Sequence, residues 1–110
     1  MKNTSIDALK ENILKDIESC SSKELNDIYK ALGKALKEFD KDNFLKNCKD
    51  FFKSLFKTKK QKCIYFINDI VDSKDKLTNE MKEKLRKSFL DISNIHRTFI
   101  ENLIALLGAL

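Results

Sequence analysis

Residues 51–66, FFKSLFKTKKQKCIYF, decide how this chain folds, because they mix five lysines with aromatic residues and contain no acid. If one helix ran through the whole stretch, Lys59 and Lys62 would enter its apolar side, where an unpaired charge is costly. Thr58 and Gln61 have the spacing of a capping box, in which two side chains bond the free N–H groups at a helix start. The sequence therefore predicts a corner between two helices near Thr58.

Before the corner, the sequence predicts a basic amphipathic helix from Phe44 to about Lys57. At about 100° per residue, its apolar side chains fall within an arc of roughly 140°. The arc comprises Phe44, Leu45, Cys48, Phe51, Phe52, Leu55 and Phe56. The opposite side carries lysines at steps of three and four, namely Lys46, Lys49, Lys53, Lys57 and Lys60. We expect the arc to face a core and the lysines to face water.

Cap residues predict the other helix boundaries. Ser5 is the expected N-cap of a first helix, and Ser21 with Glu24 has the capping-box spacing for a second. Gly33 lies inside that second helix, where glycine costs about 1 kcal/mol relative to alanine, so we expect another helix to cross closely there. The helix after Thr58 has one apolar side, formed by Cys63, Ile64, Phe66, Ile67, Ile70 and Val71.

The C-terminal third has no strong helix breaker from Thr78 to Leu110, which predicts one helix of about 30 residues, roughly 45 Å long. Its apolar residues alternate steps of four and three, as in a coiled coil. This C-terminal row comprises Leu85, Phe89, Ile92, His96, Phe99, Leu103, Leu106 and Leu110. The helix would be about twice as long as the others, so two of them stack along it or it packs on a second chain. In the second case, a homodimer would form through Leu85, Phe89, Ile92, His96, Phe99 and Leu103.

The composition favours helices over sheets. The chain has 110 residues, no proline and two glycines, whereas a sheet protein needs several turn residues with special backbone angles. A chain of this length buries enough surface for one core. We predict a single domain, residues 1–110, with an all-α fold: a four- to five-helix bundle with a long C-terminal helix.

Cysteine usage and hydropathy indicate the compartment. Cys20, Cys48 and Cys63 form no CxxC pair, and an odd number of cysteines is atypical of a secreted disulfide framework. The N-terminal residues lack the apolar core of an export signal. The apolar C-terminal stretch is shorter than the roughly 20 residues that cross a bilayer. We therefore predict a cytoplasmic protein with reduced thiols.

No residue pattern indicates catalysis. His96 is the only histidine, and it has no cysteine or carboxylate at a metal-ligand step along its helix. Cys48 and Cys63 fall on apolar stripes without a base to activate them. The acids alternate with lysines, and no glycine-rich phosphate loop is present. We predict that the protein is not an enzyme and has no cofactor and no metal site.

Positive charge is concentrated in residues 41–66, which hold eight basic and two acidic residues, while the segments on either side are close to neutral. Such a surface attracts an acidic protein, nucleic acid or anionic lipid. We name Lys46, Lys49, Lys53, Lys57 and Lys60 as partner-binding residues, together with Tyr65 as an outward aromatic anchor. The predicted separation of phenylalanines from lysines disfavours stacking on nucleic-acid bases.

In size, lysine richness and helical character the chain is similar to bacteriocin immunity proteins of the pediocin type, and equally to phage-encoded inhibitors of host defence. The similarity is one of composition and covers no motif. It implies a small non-enzymatic helical protein that acts by stoichiometric binding to a macromolecular partner, with an acidic protein surface preferred. Two alternatives stay open: a nucleic-acid-binding accessory protein that uses the lysine face of residues 46–60, and a peripheral membrane-surface binder.

Overall fold

The computed structural model describes residues 2–38, 46–92 and 97–110, with side chains from residue 6 onward, and every regular element in these ranges is helical. The helices are α1 (Lys2–Ser19), α2 (Ser22–Glu38), α3 (Lys46–Lys53), α4 (Lys59–Asp72), α5 (Asn79–Leu90) and α6 (Arg97–Ala109), with a short 3₁₀ helix at Lys74–Lys76. The predicted all-α bundle is confirmed. It has six α-helices within these ranges instead of the four to five expected.

Side-chain caps begin three of the helices where the sequence predicted them. The Ser21 hydroxyl accepts the Glu24 N–H at 3.2 Å, and the Glu24 carboxylate accepts the Ser21 N–H at 3.0 Å. Thr58 and Gln61 form the same reciprocal pair, at 3.1 Å and 2.9 Å. Thr78 caps α5 with a bond of 3.2 Å from the N–H three residues on. The corner at Thr58 is therefore confirmed.

Two local predictions are wrong. Helix α1 begins at Lys2, upstream of the expected N-cap Ser5, because nothing from residue 2 to residue 5 is a glycine or proline that would stop helical backbone. None of the described helices crosses closely at Gly33, since a Cβ added there would have no described atom within 4 Å. Glycine at this position therefore opens space beside α2.

One hydrophobic core draws side chains from all six helices. Helix α4 packs against α1, α2 and α3, while α6 packs against α1 and α5. The largest fully buried side chains are Phe66, Phe89, Phe99, Ile13, Ile17, Ile28, Leu32, Ile67, Ile70, Leu85 and Leu103. Apart from the adjacent Phe66 and Ile67, neighbouring positions within a helix are three or four residues apart, as on one side of an amphipathic helix.

The predicted 30-residue C-terminal helix is wrong, because two helices occupy this part of the chain. Helix α5 ends at Leu90, and the N–H of Asp91 closes its last turn on the carbonyls of Lys87 and Ser88, each at 3.2 Å. Helix α6 begins at Arg97 and packs back on α5 and α1. A straight helix of that length would leave much of its apolar side uncovered, whereas folding back buries it.

The C-terminal row is consequently divided between two helices. Leu85, Phe89, Ile92, Phe99 and Leu103 are all less than one tenth exposed within a single chain. His96 lies outside the described residues, as do Phe44 and Leu45 of the predicted apolar arc. Self-association through the row stays a prediction, and these five side chains would have to leave the core to make it.

Candidate functional site

The turn between α3 and α4, here called the α3–α4 corner (residues 54–57), exposes two large apolar side chains. Leu55 is 94% exposed and Phe56 is 93% exposed. We expected both on the buried arc, and that expectation is wrong because α3 ends at Lys53 instead of near Lys57. After that point the backbone no longer keeps the helical phase that would turn these side chains inward.

The early end of α3 has a local cause in the hydroxyl of Ser54. Its oxygen accepts the N–H of Phe56 at 3.3 Å, while the N–H of Ser54 itself bonds the carbonyl of Phe51 at 3.2 Å. Serine side chains compete in this way with the helical bonds of nearby backbone groups. The capping box at Thr58 then starts α4 in a new direction.

The five predicted partner-binding lysines do not share one helix face. Lys46, Lys49 and Lys53 lie on α3, and Lys57 lies in the corner with its ammonium 5.5 Å from the centre of the Phe51 ring. Lys60 belongs to α4 and is engaged with the end of α1. Its ammonium donates to the carbonyl of Glu18 at 3.2 Å and lies 3.9 Å from the Glu18 carboxylate.

Tyr65 is half-buried, with its ring stacked on that of Phe51 at a centroid distance of 4.3 Å and an angle of 13°. Burial, followed by the negative charge of Asp69, raises the pKa of its phenol. The structure therefore places Tyr65 against α3 instead of alone on the surface. Its role in binding a partner stays a prediction.

A groove runs between α2 and α3. The α2–α3 groove has a volume of about 510 Å³ and is lined by Tyr29, Lys30, Gly33, Lys34, Leu36, Lys37, Lys49, Phe52 and Lys53. The rings of Tyr29 and Phe52 stack at 5.2 Å and 7° and form its floor. Of the nine lining residues that the structure describes, five are lysines and none is acidic, so this part of the lining is positive.

Two lysines of α4 add to the positive charge at one end of the groove. The ammonium groups of Lys59 and Lys62 each lie 5.6 Å from the centre of the Tyr29 ring, a distance at which cation–π attraction operates. Lys59 also donates to the side-chain oxygen of Asn26 at 2.7 Å. These are the two lysines whose charge predicted the corner, and they pack against α2.

Tyr29 was not predicted as a functional residue from the sequence. Tyr29 directly follows the buried Ile28 on α2. A shift of one residue along a helix is enough to turn a side chain from the core toward the surface. Its partner Phe52 is on another helix, so no spacing along the chain signals the contact. The cluster of lysines on α2 at Lys30, Lys34 and Lys37 was the only available signal, and it lay outside the segment of highest charge.

The buried thiols do not form a reactive centre. Cys48 and Cys63 are both fully buried, as their apolar stripes predicted. Burial raises the pKa of Cys63 to about 12 and the pKa of Cys48 further still. Both thiols are therefore protonated at neutral pH, and a thiol in that state is a poor nucleophile.

Within residues 2–38, 46–92 and 97–110, no three histidine, cysteine or acidic side chains are grouped so that they could hold a metal ion. None of the helices in the same ranges is both long and apolar enough to cross a bilayer.

Comparison of the chain with known protein families, with characterised proteins and with solved structures found no match. The function is therefore inferred from the corner and the groove.

Proposed function

We propose that this chain is a non-enzymatic protein that acts by stoichiometric binding to a protein partner with an acidic surface, as an inhibitor or an immunity-type protein of a bacterium or phage does. The observation that carries the proposal is the exposure of Leu55 and Phe56, at 94% and 93%, beside the exposed lysines Lys53 and Lys57. Adjacent large apolar side chains that are almost fully exposed are unusual on a folded protein and mark contact sites.

The apolar side chains of the corner and the lysines around it contribute to binding in different ways. Burying a leucine or phenylalanine side chain at an interface is worth about 1.5–3 kcal/mol each, so the corner supplies affinity. The lysines around it speed the encounter with an acidic partner and orient it, more than they add affinity. Three unpaired cysteines support a cytoplasmic location, where thiols stay reduced.

Membrane-surface binding is the second candidate, and the same corner favours it. Exposed apolar side chains flanked by lysines are also what an anionic membrane surface binds. A corner of two side chains buries less apolar area than an amphipathic helix lying in the interface. The protein-binding proposal is preferred because, among the described residues, the apolar stripes of the helices face one another in the core and Leu55 and Phe56 are the two most exposed large apolar side chains.

The test begins with affinity capture from a cell lysate treated with nuclease, followed by titration of the purified partner. We expect a one-to-one complex that the double variant Leu55→Ser/Phe56→Ser weakens at least tenfold. Leu90→Ser is the matched control, since Leu90 is 57% exposed on another helix. We expect this control to bind like the wild type.

Reversing the charge of the lysines is an independent test of the proposal. Changing Lys46, Lys49, Lys53 and Lys57 together to glutamate should abolish binding while helical content stays nearly unchanged, because these side chains lie at the surface or its edge. Co-sedimentation with anionic vesicles separates the membrane alternative. The proposal is overturned if the corner variant binds the partner like the wild type, or if only vesicles bind and the corner variant no longer does.

A further inference from the structure

The α2–α3 groove has a regular pattern of charge. Lys30, Lys34 and Lys37 form a row at helical spacing on α2, and Lys49 with Lys53 forms a second row on α3. Apolar residues of both helices line the same groove, namely Tyr29, Leu36 and Phe52. The groove therefore presents lysines from two helices beside an apolar strip, a combination that complements an apolar stripe flanked by acids.

The apolar strip has the length and spacing that suit a helix. Tyr29, Gly33 and Leu36, of which Leu36 is only 3% exposed, follow one another at steps of four and three on α2. They span about 10 Å at 1.5 Å per residue, or roughly two helical turns. Because no atom of the described residues lies within 4 Å of a Cβ placed on Gly33, the middle of the strip is an open notch. A notch of this kind accepts an apolar side chain of an amphipathic helix lying in a groove.

Single-stranded nucleic acid fits the groove less well. Binding of that kind relies on free aromatic faces on which bases stack. Here Tyr29 and Phe52 stack on each other, Phe52 and Phe66 pack edge to face with their ring centroids 6.2 Å apart, and two ammonium groups each lie 5.6 Å from the centre of the Tyr29 ring. The stacked faces of the two rings are therefore covered within the protein, which reduces the aromatic surface available for base stacking.

A second copy of this chain is also disfavoured. The protruding Leu55 and Phe56 have the right chemistry to enter an apolar strip, but they lie between Lys53 and Lys57. Inserting them would bring these lysines against the two lysine rows, and like charges in contact are destabilising. An acidic occupant has no such penalty.

We propose that the α2–α3 groove binds an acidic amphipathic helix of the protein partner, with glutamate or aspartate beside the lysine rows and an apolar side chain in the notch at Gly33. This inference rests on the proposed function for the identity of the partner. The groove adjoins the α3–α4 corner through Lys53, the last residue of α3. The two sites are therefore continuous, and one partner covers both.

The experiment is a fluorescence-anisotropy titration of the full chain with a defined probe. The probe is a fluorescein-labelled glutamate-rich peptide of about three helical turns with leucine at every third or fourth position. Two comparison probes are the same peptide with glutamine in place of glutamate, and an oligothymidylate of equal charge. We expect the acidic peptide to bind at least tenfold more tightly than either comparison probe.

Variants at the two helical glycines decide where the peptide binds. Gly33→Phe fills the notch with a side chain that meets no neighbour at its Cβ, and it should weaken peptide binding at least tenfold. Gly108→Phe makes the same change on α6, where the Cβ is equally free, and should leave binding unchanged. Circular dichroism confirms that both variants stay folded. If Gly33→Phe does not fold, Lys34→Glu/Lys53→Glu replaces it with the same expected loss.

The Leu55→Ser/Phe56→Ser variant separates this inference from the proposed function, because it should lose the partner yet keep the affinity for the peptide. The inference is overturned if the notch-filling variant binds the acidic peptide as the wild type does. Equal affinity for the glutamine peptide or for the oligothymidylate also overturns it, whatever the outcome of the partner titration.

Discussion

Gly33 lies in the middle of α2, and space is open where a side chain would start. A Cβ at this position would meet no atom of the described ranges within 4 Å, so the glycine relieves no steric conflict with them. Glycine inside a helix costs conformational entropy relative to alanine. The residue therefore keeps the groove open at a cost in stability.

Replacing Gly33 with alanine should raise the free energy of unfolding by about 1 kcal/mol. Urea denaturation followed by circular dichroism measures the change. Gly108→Ala is the control and should give a smaller gain, because Gly108 lies next to the last residue of α6, where helices fray. A loss of stability at Gly33 would show that the groove is filled by some other part of the chain.

The buried thiols make stability depend on alkaline pH. An ordinary cysteine has a pKa near 9.0, and burial raises that of Cys63 to about 12. Above pH 9 the folded state thus keeps the proton of the Cys63 thiol while the unfolded state releases it. The contribution of this thiol to the free energy of unfolding is therefore complete below pH 9 and declines from pH 9 to about 12. We expect a decline of about 1.4 kcal/mol per pH unit from this thiol.

Chemical denaturation at several values between pH 8 and pH 10.5 measures this slope. Lysine and tyrosine also titrate there, so the comparison is with Cys48→Ala/Cys63→Ala, which is less stable overall but should have a flatter pH dependence. Parallel curves for the two proteins would contradict the prediction.

At the scale of elements, the α3–α4 corner depends on two local side-chain interactions, of which only one could be predicted from the sequence. The capping box of Thr58 and Gln61 involves groups three residues apart, so it could be predicted from the sequence, and it was. The end of α3 depended on Ser54, whose hydroxyl competes for backbone bonds. Serine is compatible with either outcome, and the exposure of Leu55 and Phe56 was therefore not predictable.

Thr58→Ala should lower the free energy of unfolding by about 1 kcal/mol, because it leaves the N–H of Gln61 without its hydroxyl acceptor at 3.1 Å. Thr58→Ser keeps the acceptor and serves as the control. Thermal melts of the three proteins give the comparison. If the alanine variant melts with the serine variant, the cap does not contribute to the start of α4.

At the scale of the whole molecule, the direction of α6 decides which helices cover its apolar side. Folding back onto α1 and α5 buries Phe99, Leu103, Leu106 and Leu107 within one chain. The regular spacing of the C-terminal row predicted one long helix, and the same spacing also satisfies two helices that pack on each other. Periodicity reports which side of a helix is apolar but not what covers it.

Leu103→Ala should destabilise the protein by about 2–5 kcal/mol, as expected for a leucine that is 1% exposed. Leu90→Ala, at a site 57% exposed, should cost far less. Urea denaturation measures both. A small effect at Leu103 would show that α6 does not pack as described, and light scattering of the same variant would then test the dimer.

The sequence by itself determined the helical class, the apolar stripes and three helix caps, because these depend on groups within about four residues of one another. The tertiary structure alone decided the stacking of Tyr29 on Phe52, the lysine rows of the groove and the return of α6. Each of these joins side chains from different helices, and pairings of that kind are chosen by how the apolar stripes of the whole chain cover one another.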